Sequence, residues 1–322
     1  MRSFAEAGEP MPGSLTHQAL LYASQDDFVG AILPFVRDGA ALGEPVLVAA
    51  RQRNVDALRQ ALNGEARTRR VELLSIGQWY ENPSRTRAKF VHWAVERAWD
   101  RRVRLVGEPP WPLGSEAGVR EWARHEAVIN VAMADLPVTF ICPYNTSELP
   151  PEVLDHARAT HPELLEDGTP VDSGTYTRPD DFCRRFAGPQ GPHQGAPTAE
   201  MEIDPARLGE LRRLVEFEGS AAGVEPDRLG DLVVAVNEVA TNALVHGARP
   251  ARLRIFHRRG ELLCEVGDAG AGFEDPLAGQ LPPPPGVAGG FGMWITRMTG
   301  DATEVHSGED GTTVTIHTSL AG

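Results

Sequence analysis

Three polar side chains recur at four-residue intervals within the otherwise apolar stretch NEVATNALVHG, residues 237–247. They are Glu238, Asn242 and His246. A spacing of four residues places side chains along one line of a helix. The residues facing the opposite way, such as Val236 and Ala240, recur with the period of a core-facing stripe. The pattern therefore predicts an amphipathic helix whose second face carries an acid, an amide and an imidazole.

The neighbours of this polar line indicate what it faces. Val234, Ala235 and Val245 flank it and gain nothing from contact with water, so the line is expected to border a covered pocket. An ionised carboxylate in such a pocket needs a compensating charge. A Mg²⁺ ion held by protein, water and phosphate oxygens would supply it. The helix alone is equally consistent with an ordinary core helix whose Glu and Asn reach solvent.

Two glycine motifs follow. GDAGAGF at 267–273 ends a predicted strand, and its Asp268 can accept a hydrogen bond from a donor such as an exocyclic amine. GGFGMWITRMTG at 289–300 opens a helix with glycines, and a helix N-terminus offers free N–H groups to phosphate. The polar, Pro-rich and Gly-rich segment 274–289 between them is typical of a mobile lid. Each motif alone is common in ordinary turns.

The elements around these motifs form the rear part of the chain. Helices are predicted at about 205–221 and 226–246, followed by a hairpin turned at Arg259-Gly260 and a second hairpin around residues 309–311. This order indicates an α+β sandwich, with an antiparallel or mixed sheet and helices on one face.

The front part alternates apolar runs with helical patterns. Strands are predicted at 45–50, 71–76, 102–108 and 138–144, with helices near 26–40, 53–63, 85–100 and 116–134. Strands that are apolar throughout and separated by helices are typical of a parallel sheet covered on both faces, so a doubly wound α/β domain is expected. The segment 186–200 is rich in Gly, Pro and Gln and is interpreted as a linker.

Four motifs of the rear part occur in a fixed order: E-x-x-x-N, D-x-G-x-G, G-x-G at a helix start, and G-T-T at 311–313. This order resembles the GHKL (Bergerat) ATP-binding fold. The short form, spanning 201–322, is most similar to the anti-sigma-factor serine kinases of Gram-positive bacteria. The resemblance implies ATP and Mg²⁺ as cofactors.

The same resemblance assigns roles to matching positions. Glu238 would polarise the attacking hydroxyl or water, and Asn242 would bind Mg²⁺. Asp268 would bind the adenine amino group, and Thr313 would close the base pocket. The resemblance also gives roles to four glycines: Gly270 and Gly272 would shape the adenine pocket, and Gly290 and Gly292 would face the phosphates. Phe291 and Met293 depart from the Arg and Leu often found in this run. His246 follows the family pattern, and a structural role is expected for it.

The front part, through LTHQALLY, GEPPWPL and CPYNTSELPPEVLDHARATHPEL, resembles a MEDS domain over residues 14–185, a sensory module related to RecA-like folds. A small ligand of unknown identity is expected beyond the strand ends, near Glu108 to Trp111 and Cys142 to Tyr144. Trp111 and Tyr144 are equally explained as packing residues. Cys142 could be redox-active or bind a metal with His17 or His161, although a single buried cysteine is more often inert.

These resemblances together imply an ATP-binding anti-sigma factor that phosphorylates a Ser or Thr of a STAS anti-anti-sigma protein under control of the front domain. Its partners would be that protein and a sigma factor. The apolar stripe of the helix at 205–219, with Leu208, Leu211, Leu214 and Val215, would supply a binding surface, a homodimer face or simply core. Alternatives are an ATP-gated binding module without kinase activity and an atypical sensor histidine kinase. No phosphate-accepting histidine helix precedes the nucleotide motifs, which disfavours the last.

The composition of the chain indicates which partners and which cellular location are expected. The net charge is −14, with 45 acidic and 31 basic residues, and opposes binding to nucleic acid or to an anionic membrane. The three cysteines form no CxxC pair or disulfide pattern. No apolar run has the length of a signal peptide core or a membrane span. A soluble cytoplasmic protein is expected.

Overall fold

The structure of the chain is a computed structural model that describes residues 13–63, 70–166, 168–186, 193–248, 250–284 and 290–320. The chain folds as two compact units. The first lies within residues 13–182, and the second includes residues 183–320. Among the described residues, no helix combines the length and the apolar character that a membrane span requires.

The front unit alternates strands and helices, as the sequence predicts, and all four predicted strands are present. The helix predicted at 85–100 ends earlier, at Val95. The elements are β1 (Thr16–Tyr22), α1 (Gln25–Leu42), β2 (Val46–Ala50), α2 (Gln52–Leu62), β3 (Val71–Ser75), α3 (Ile76–Trp79), α4 (Pro83–Val95), β4 (Val103–Gly107), α5 (Glu116–Ala132), β5 (Val138–Asn145), α6 (Pro151–Thr160), β6 (Glu163–Glu166), β7 (Thr169–Asp172) and α7 (Pro179–Arg185).

These strands form one seven-stranded sheet in the order β3-β2-β4-β5-β1-β6-β7. All neighbouring pairs are parallel except β6 and β7, which form an antiparallel hairpin at one edge. β1 lies beside β5 with Thr16 opposite Thr139 and Tyr22 opposite Asn145. Every residue of β2 is buried, as a parallel sheet covered on both faces requires. The doubly wound, mostly parallel fold class is confirmed.

Helices α1 and α2 cover one face of this sheet. Their apolar side chains share a core with those of β1 and β2, including Phe28, Ile32 and Leu58, all fully buried. α1 is fixed at both ends: Ser24 and Asp27 form a capping box, and Gly43 ends the helix in the left-handed conformation.

One expectation for the front sheet is wrong. A ligand was expected beyond the end of β5, near Cys142 to Tyr144, but β5 continues to Asn145, and all three residues are buried within it as part of the predicted strand 138–144. Cys142 lies opposite Ala19 of β1. Pro143 does not end the strand, because a proline at a position that donates no ladder hydrogen bond can remain in a sheet.

The rear unit contains the two long helices and two hairpins expected from the sequence, together with one further strand. Its elements are β8 (Ala199–Ile203), α8 (Leu208–Ala222), α9 (Pro226–His246), β9 (Ala251–Arg258), β10 (Glu261–Asp268), α10 (Phe291–Thr299), β11 (Ala302–Gly308) and β12 (Gly311–Ser319).

The rear sheet has five strands in the order β11-β12-β10-β9-β8, and every neighbouring pair is antiparallel. One face of the sheet packs against α8 and α9 in a single core that includes Val236, Leu253, Val266 and Ile316. The α+β sandwich is therefore confirmed. β8 begins at Ala199, inside the segment interpreted as a linker, whose residues 187–192 lie outside the described part of the chain.

The apolar stripe of α8 belongs to this core. Leu211 and Val215 are buried, and Leu208 and Leu214 pack against the same cluster. The stripe is thus core, and the expectation that it forms a surface for protein partners or a second copy is wrong. Spacing identified an apolar face on this helix but could not tell an internal contact from an external one.

Candidate functional site

Helix α9 places the polar line found in the sequence. Pro226 occupies its first turn, where a proline is tolerated, and the helix continues to His246. Its apolar stripe is buried, and this orientation turns Asn242 and His246 toward a cavity. Glu238 lies one turn before Asn242 and is half-buried. Of the three flanking residues, Ala235 is buried, whereas Val234 and Val245 are exposed, so the expectation that all three border a covered pocket is wrong.

The cavity has a volume of about 530 Å³. Its walls come from the C-terminal half of α9, the end of β10, the loop after it, the start of α10 and the start of β12. Val239, Val266, Val314 and Met293 give it apolar sides. Asp268 and Asn242 are among its polar wall residues. A largely apolar cleft with few convergent polar groups is typical of a site for a small ligand.

Asp268 is the last residue of β10, and two glycines leave room for its carboxylate. The backbone N–H of Gly270 donates to Asp268 Oδ1 over 2.8 Å, which orients the side chain. A Cβ at Gly247 would lie 2.4 Å from Asp268 Cγ, and one at Gly270 would lie 2.9 Å from Asp268 Oδ1. The turn after α9 and the turn after β10 can therefore approach each other only as glycines.

The N-terminus of α10 opens at the cavity. Gly290 is its N-cap in the left-handed conformation, and among the residues that the structure describes no side chain caps the first turn. The free N–H groups of this turn are available to an anion. Gly292 lies against the amide of Asn242, because a Cβ there would be 2.7 Å from Asn242 Nδ2. The helix start and the amide thus lie side by side.

The structure brings five of the eight site residues predicted from the sequence to the cavity wall: Asn242, Asp268, Gly272, Gly290 and Gly292. The other three, Glu238, Gly270 and Thr313, are not part of the wall. Successive side chains of a strand point to opposite faces. Accordingly, Thr312 and Val314 of β12 line the cavity, whereas Thr313 between them does not.

Some wall residues were not singled out from the sequence. In the sequence, Gly247 is indistinguishable from an ordinary glycine at a helix end. Only the close approach of β10 shows why no side chain fits there. Thr312 is adjacent to the residue chosen, and strand register alone separates the two. His246, for which a structural role was expected, is exposed at the cavity wall.

The loop after β10 supplies the remaining wall. Phe273 N donates to Ser307 Oγ over 2.7 Å, and this bond ties the loop to the β11–β12 hairpin. Asp275 and Gly279 border the cavity, and Gly279 lies so close to α10 that a Cβ would be 2.6 Å from the Met293 backbone. This first part of the predicted lid is therefore a turn packed on α10. Residues 285–289 of the lid lie outside the described residues.

The outer face of the rear sheet carries a buried ionic cluster. His317 of β12 lies between two carboxylates, with Nδ1 3.2 Å from Glu261 Oε2 and Nε2 3.1 Å from Glu304 Oε2. Burial alone lowers the pKa of His317, but the two carboxylates outweigh it and raise the pKa to about 9. Conversely, although burial raises the pKa of Glu304, the hydrogen bond from His317 helps to bring it to about 2. The imidazolium therefore joins β10, β11 and β12.

Comparison with protein families finds one match in each half of the chain, and both agree with the resemblances seen in the sequence. Residues 16–162 match the MEDS family, described as the methanogen/methylotroph, DcmR sensory domain. Residues 201–318 match the histidine kinase-like ATPase domain. The chain is a MEDS domain joined to a histidine kinase-like ATPase domain. The cavity lies within the ATPase domain.

Comparison with solved structures gave matches to part of the chain. One is the crystal structure of the RsbU and RsbW domains of Rv1364c from Mycobacterium tuberculosis, at 19% identity and a TM-score of 0.29, covering 39% of this chain and 33% of that one. The chain thus spans about a third of the length of that relative. Another is the histidine kinase domain of the E. coli osmosensor EnvZ, at 16% identity and a TM-score of 0.24, covering 41% of this chain and 94% of that one. Among curated proteins, the comparison gave no significant match.

Proposed function

We propose that the chain is an ATP-binding anti-sigma factor that phosphorylates a serine or threonine of a STAS anti-anti-sigma protein, under control of its MEDS domain. The observation that carries this proposal is the composition of one cavity in the ATPase domain. Asp268, Asn242 and the uncapped start of α10 border the same space of about 530 Å³. That volume falls within the range of small-molecule and cofactor sites.

Each polar group fits one part of ATP. The Asp268 carboxylate, oriented by the Gly270 N–H, accepts a hydrogen bond from the adenine amino group, while the valines of α9, β10 and β12 contact the flat ring. The free N–H groups of α10 receive the phosphates.

The donor set near the phosphates also fits Mg²⁺. Asn242 presents an amide oxygen beside the helix start, and Mg²⁺ prefers oxygen ligands supplied by one or two side chains, water and phosphate. Asn242 would hold the ion, which would neutralise charge on the transferred phosphoryl group.

Glu238 is the proposed general base. It lies one helical turn before Asn242 on the same line of α9, half-buried and outside the cavity wall. In that role its carboxylate would accept the proton of the hydroxyl that a protein substrate presents to the terminal phosphate. The resemblance to anti-sigma-factor kinases supports a serine or threonine as that substrate and a sigma factor as a second partner.

The test compares wild type with Glu238→Gln, using purified full-length chain, Mg²⁺, labelled ATP and STAS proteins encoded near its gene. We expect transfer to serine or threonine in the wild type, and a rate about 10²–10⁴-fold lower in the variant, the range for loss of a general base. The variant should keep its affinity for ADP. Asp268→Ala is the opposite control, because it should lose nucleotide affinity.

Three results would overturn parts of the proposal. If the wild type binds no adenine nucleotide in the presence of Mg²⁺, the ATP site is wrong. If it binds nucleotide, transfers phosphate to no STAS protein and changes its affinity for a partner, the ATPase domain is a nucleotide-gated switch. If an acid-labile phosphohistidine forms, the chain is a histidine kinase.

A further inference from the structure

The MEDS domain contains a buried cluster of four side chains, which we call the buried quartet. Its members are His17, Glu126, Cys142 and His161. They come from β1, α5, β5 and the residue that ends α6, so residues far apart in the sequence are brought together by the fold. All four are almost completely buried, and each offers one potential ligand atom within 4.8 Å of the others.

Distances within the buried quartet match those of a tetrahedral metal site. Cys142 Sγ lies 3.5 Å from His17 Nε2, and Glu126 Oε2 lies 3.6 Å from His17 Nε2 and 3.4 Å from His161 Nε2. Zinc–ligand bonds of about 2.0–2.1 Å to nitrogen and about 2.3 Å to sulfur give tetrahedral edges of roughly 3.4 Å and 3.6 Å. Three of the six separations are thus those expected around one ion, and the other three are no longer than 4.8 Å.

Hydrogen bonds fix the tautomer of His17. The amide nitrogen of Asn130 donates to the backbone oxygens of Ala127 and Thr160, which leaves its Oδ1 as an acceptor. That oxygen lies 3.1 Å from His17 Nδ1, so Nδ1 carries the hydrogen. The other ring nitrogen of His17, Nε2, is the one that faces the quartet.

His161 is oriented in the same way. Its Nδ1 lies 2.8 Å from the Ala157 backbone oxygen, which can only accept. The neighbouring Thr160 hydroxyl donates to the His156 backbone oxygen and cannot serve Nδ1 as a donor. Nδ1 of His161 therefore donates, and its Nε2 faces the quartet without a hydrogen-bond partner.

The buried quartet contains more hydrogen-bond acceptors than donors. Glu126 Oε2 is also buried, and within the described part of the chain it has no hydrogen-bond partner, although both imidazole nitrogens and the Cys142 sulfur surround it. Lone pairs that face one another inside a protein are costly unless a cation or a proton lies between them. Asn130 and the Ala157 carbonyl hold Nδ1 of the two histidines and so turn Nε2 of each toward the quartet, an arrangement typical of metal-binding histidines.

We propose that the buried quartet binds one divalent transition-metal ion of the zinc class. Two imidazoles, one thiolate and one carboxylate form a set that suits tetrahedral zinc and not the oxygen-only sites of Mg²⁺ or Ca²⁺. Four protein ligands with no exposed position make the site a closed one, which joins β1, α5, β5 and the end of α6. This site is independent of the ATPase domain and of the nucleotide proposed to bind there.

The test uses the untagged full-length chain. After treatment with a chelator, it is titrated with Co²⁺ while the visible absorption of tetrahedral cobalt and the thiolate-to-cobalt charge-transfer band are recorded. We expect saturation near one equivalent, displacement of Co²⁺ by Zn²⁺, and a higher melting temperature of the zinc-loaded protein. Cys142→Ser should lose the charge-transfer band. Cys264→Ala, which removes a buried thiol of the ATPase domain, should keep it.

Because a ligand variant can fail to fold, Asn130→Ala provides a second measurement. It retains all four ligands and removes the acceptor for His17 Nδ1, together with the amide's hydrogen bonds to the Ala127 and Thr160 backbone oxygens. We expect metal affinity to fall by about 10–100-fold, the usual effect of losing such a partner. The proposal is overturned if the folded wild type develops no cobalt–thiolate band, or if Cys142→Ser retains it. The quartet would then hold a proton shared between His161 and Glu126.

Discussion

A single methyl group added at Gly247 should break the hydrogen bond between Asp268 and the adenine of a bound nucleotide. In Gly247→Ala the new Cβ would lie 2.4 Å from Asp268 Cγ, whereas carbon atoms in contact lie about 3.5–4.0 Å apart. The carboxylate must then move by about 1 Å, which removes its hydrogen bond to the adenine amino group. Hydrogen bonds to charged groups contribute about 1.5–3 kcal/mol, so affinity for ADP should fall by about 10- to 150-fold.

The assay is calorimetric titration of the full-length chain with ADP and Mg²⁺. Gly230→Ala is the matched control, because it lies on the same helix and a Cβ there meets nothing within 4 Å. That variant should bind ADP as the wild type does. A melting curve of each variant checks that the ATPase domain is folded, since the Gly247 Cβ would also lie 2.6 Å from the Ala243 backbone oxygen.

A double-mutant cycle shows whether the effect passes through the carboxylate. If Gly247→Ala acts by displacing Asp268, it should weaken ADP binding little further in an Asp268→Ala background. The reasoning is refuted if folded Gly247→Ala binds ADP within about twofold of the wild type, a difference of only about 0.4 kcal/mol. It is refuted equally if the two substitutions weaken binding additively.

Two further predictions concern the ATPase domain. In Gly292→Ala the new Cβ would lie 2.7 Å from Asn242 Nδ2 and turn the amide away. The gain in ADP affinity on adding Mg²⁺ should therefore shrink. A gain equal to that of the wild type would contradict the role of Asn242 as a Mg²⁺ ligand. Glu261 and Glu304 raise the pKa of His317 to about 9, so its contribution of about 3 kcal/mol is complete below about pH 6.5 and lost as pH rises through 9. Melting temperatures from pH 6 to 10 should fall less steeply for His317→Gln than for the wild type, and parallel curves would contradict the ion pairs.

Local patterns in the sequence were sufficient for most of the secondary structure. The helix predicted at 226–246 has those bounds, and the hairpin turned at Arg259-Gly260 joins β9 to β10 as expected. Such elements are set by interactions between residues close in sequence, namely apolar periodicity, helix ends and turn residues. β8 was missed because its five residues are half exposed and its pairing partner is β9, about fifty positions later.

The candidate site was predicted less completely than the fold. The glycines and acids of the ordered motifs locate Asp268, Asn242 and the start of α10 on one cavity. The choice between Thr312 and Thr313 depends on which face of β12 turns inward, and a one-residue shift reverses the answer. The requirement for glycine at 247 comes from the approach of another strand, which no local pattern records.

The sequence by itself determined which residues can do chemistry and the class of each half, because periodicity, turn residues and ordered motifs are local properties. Tertiary structure alone decided which of these residues meet. It buried the α8 stripe and brought His17, Glu126 and His161 around the sulfur of Cys142. Contacts across a sheet depend on strand order, register and helix orientation. These are set only when separate elements pack and bury their apolar faces against one another.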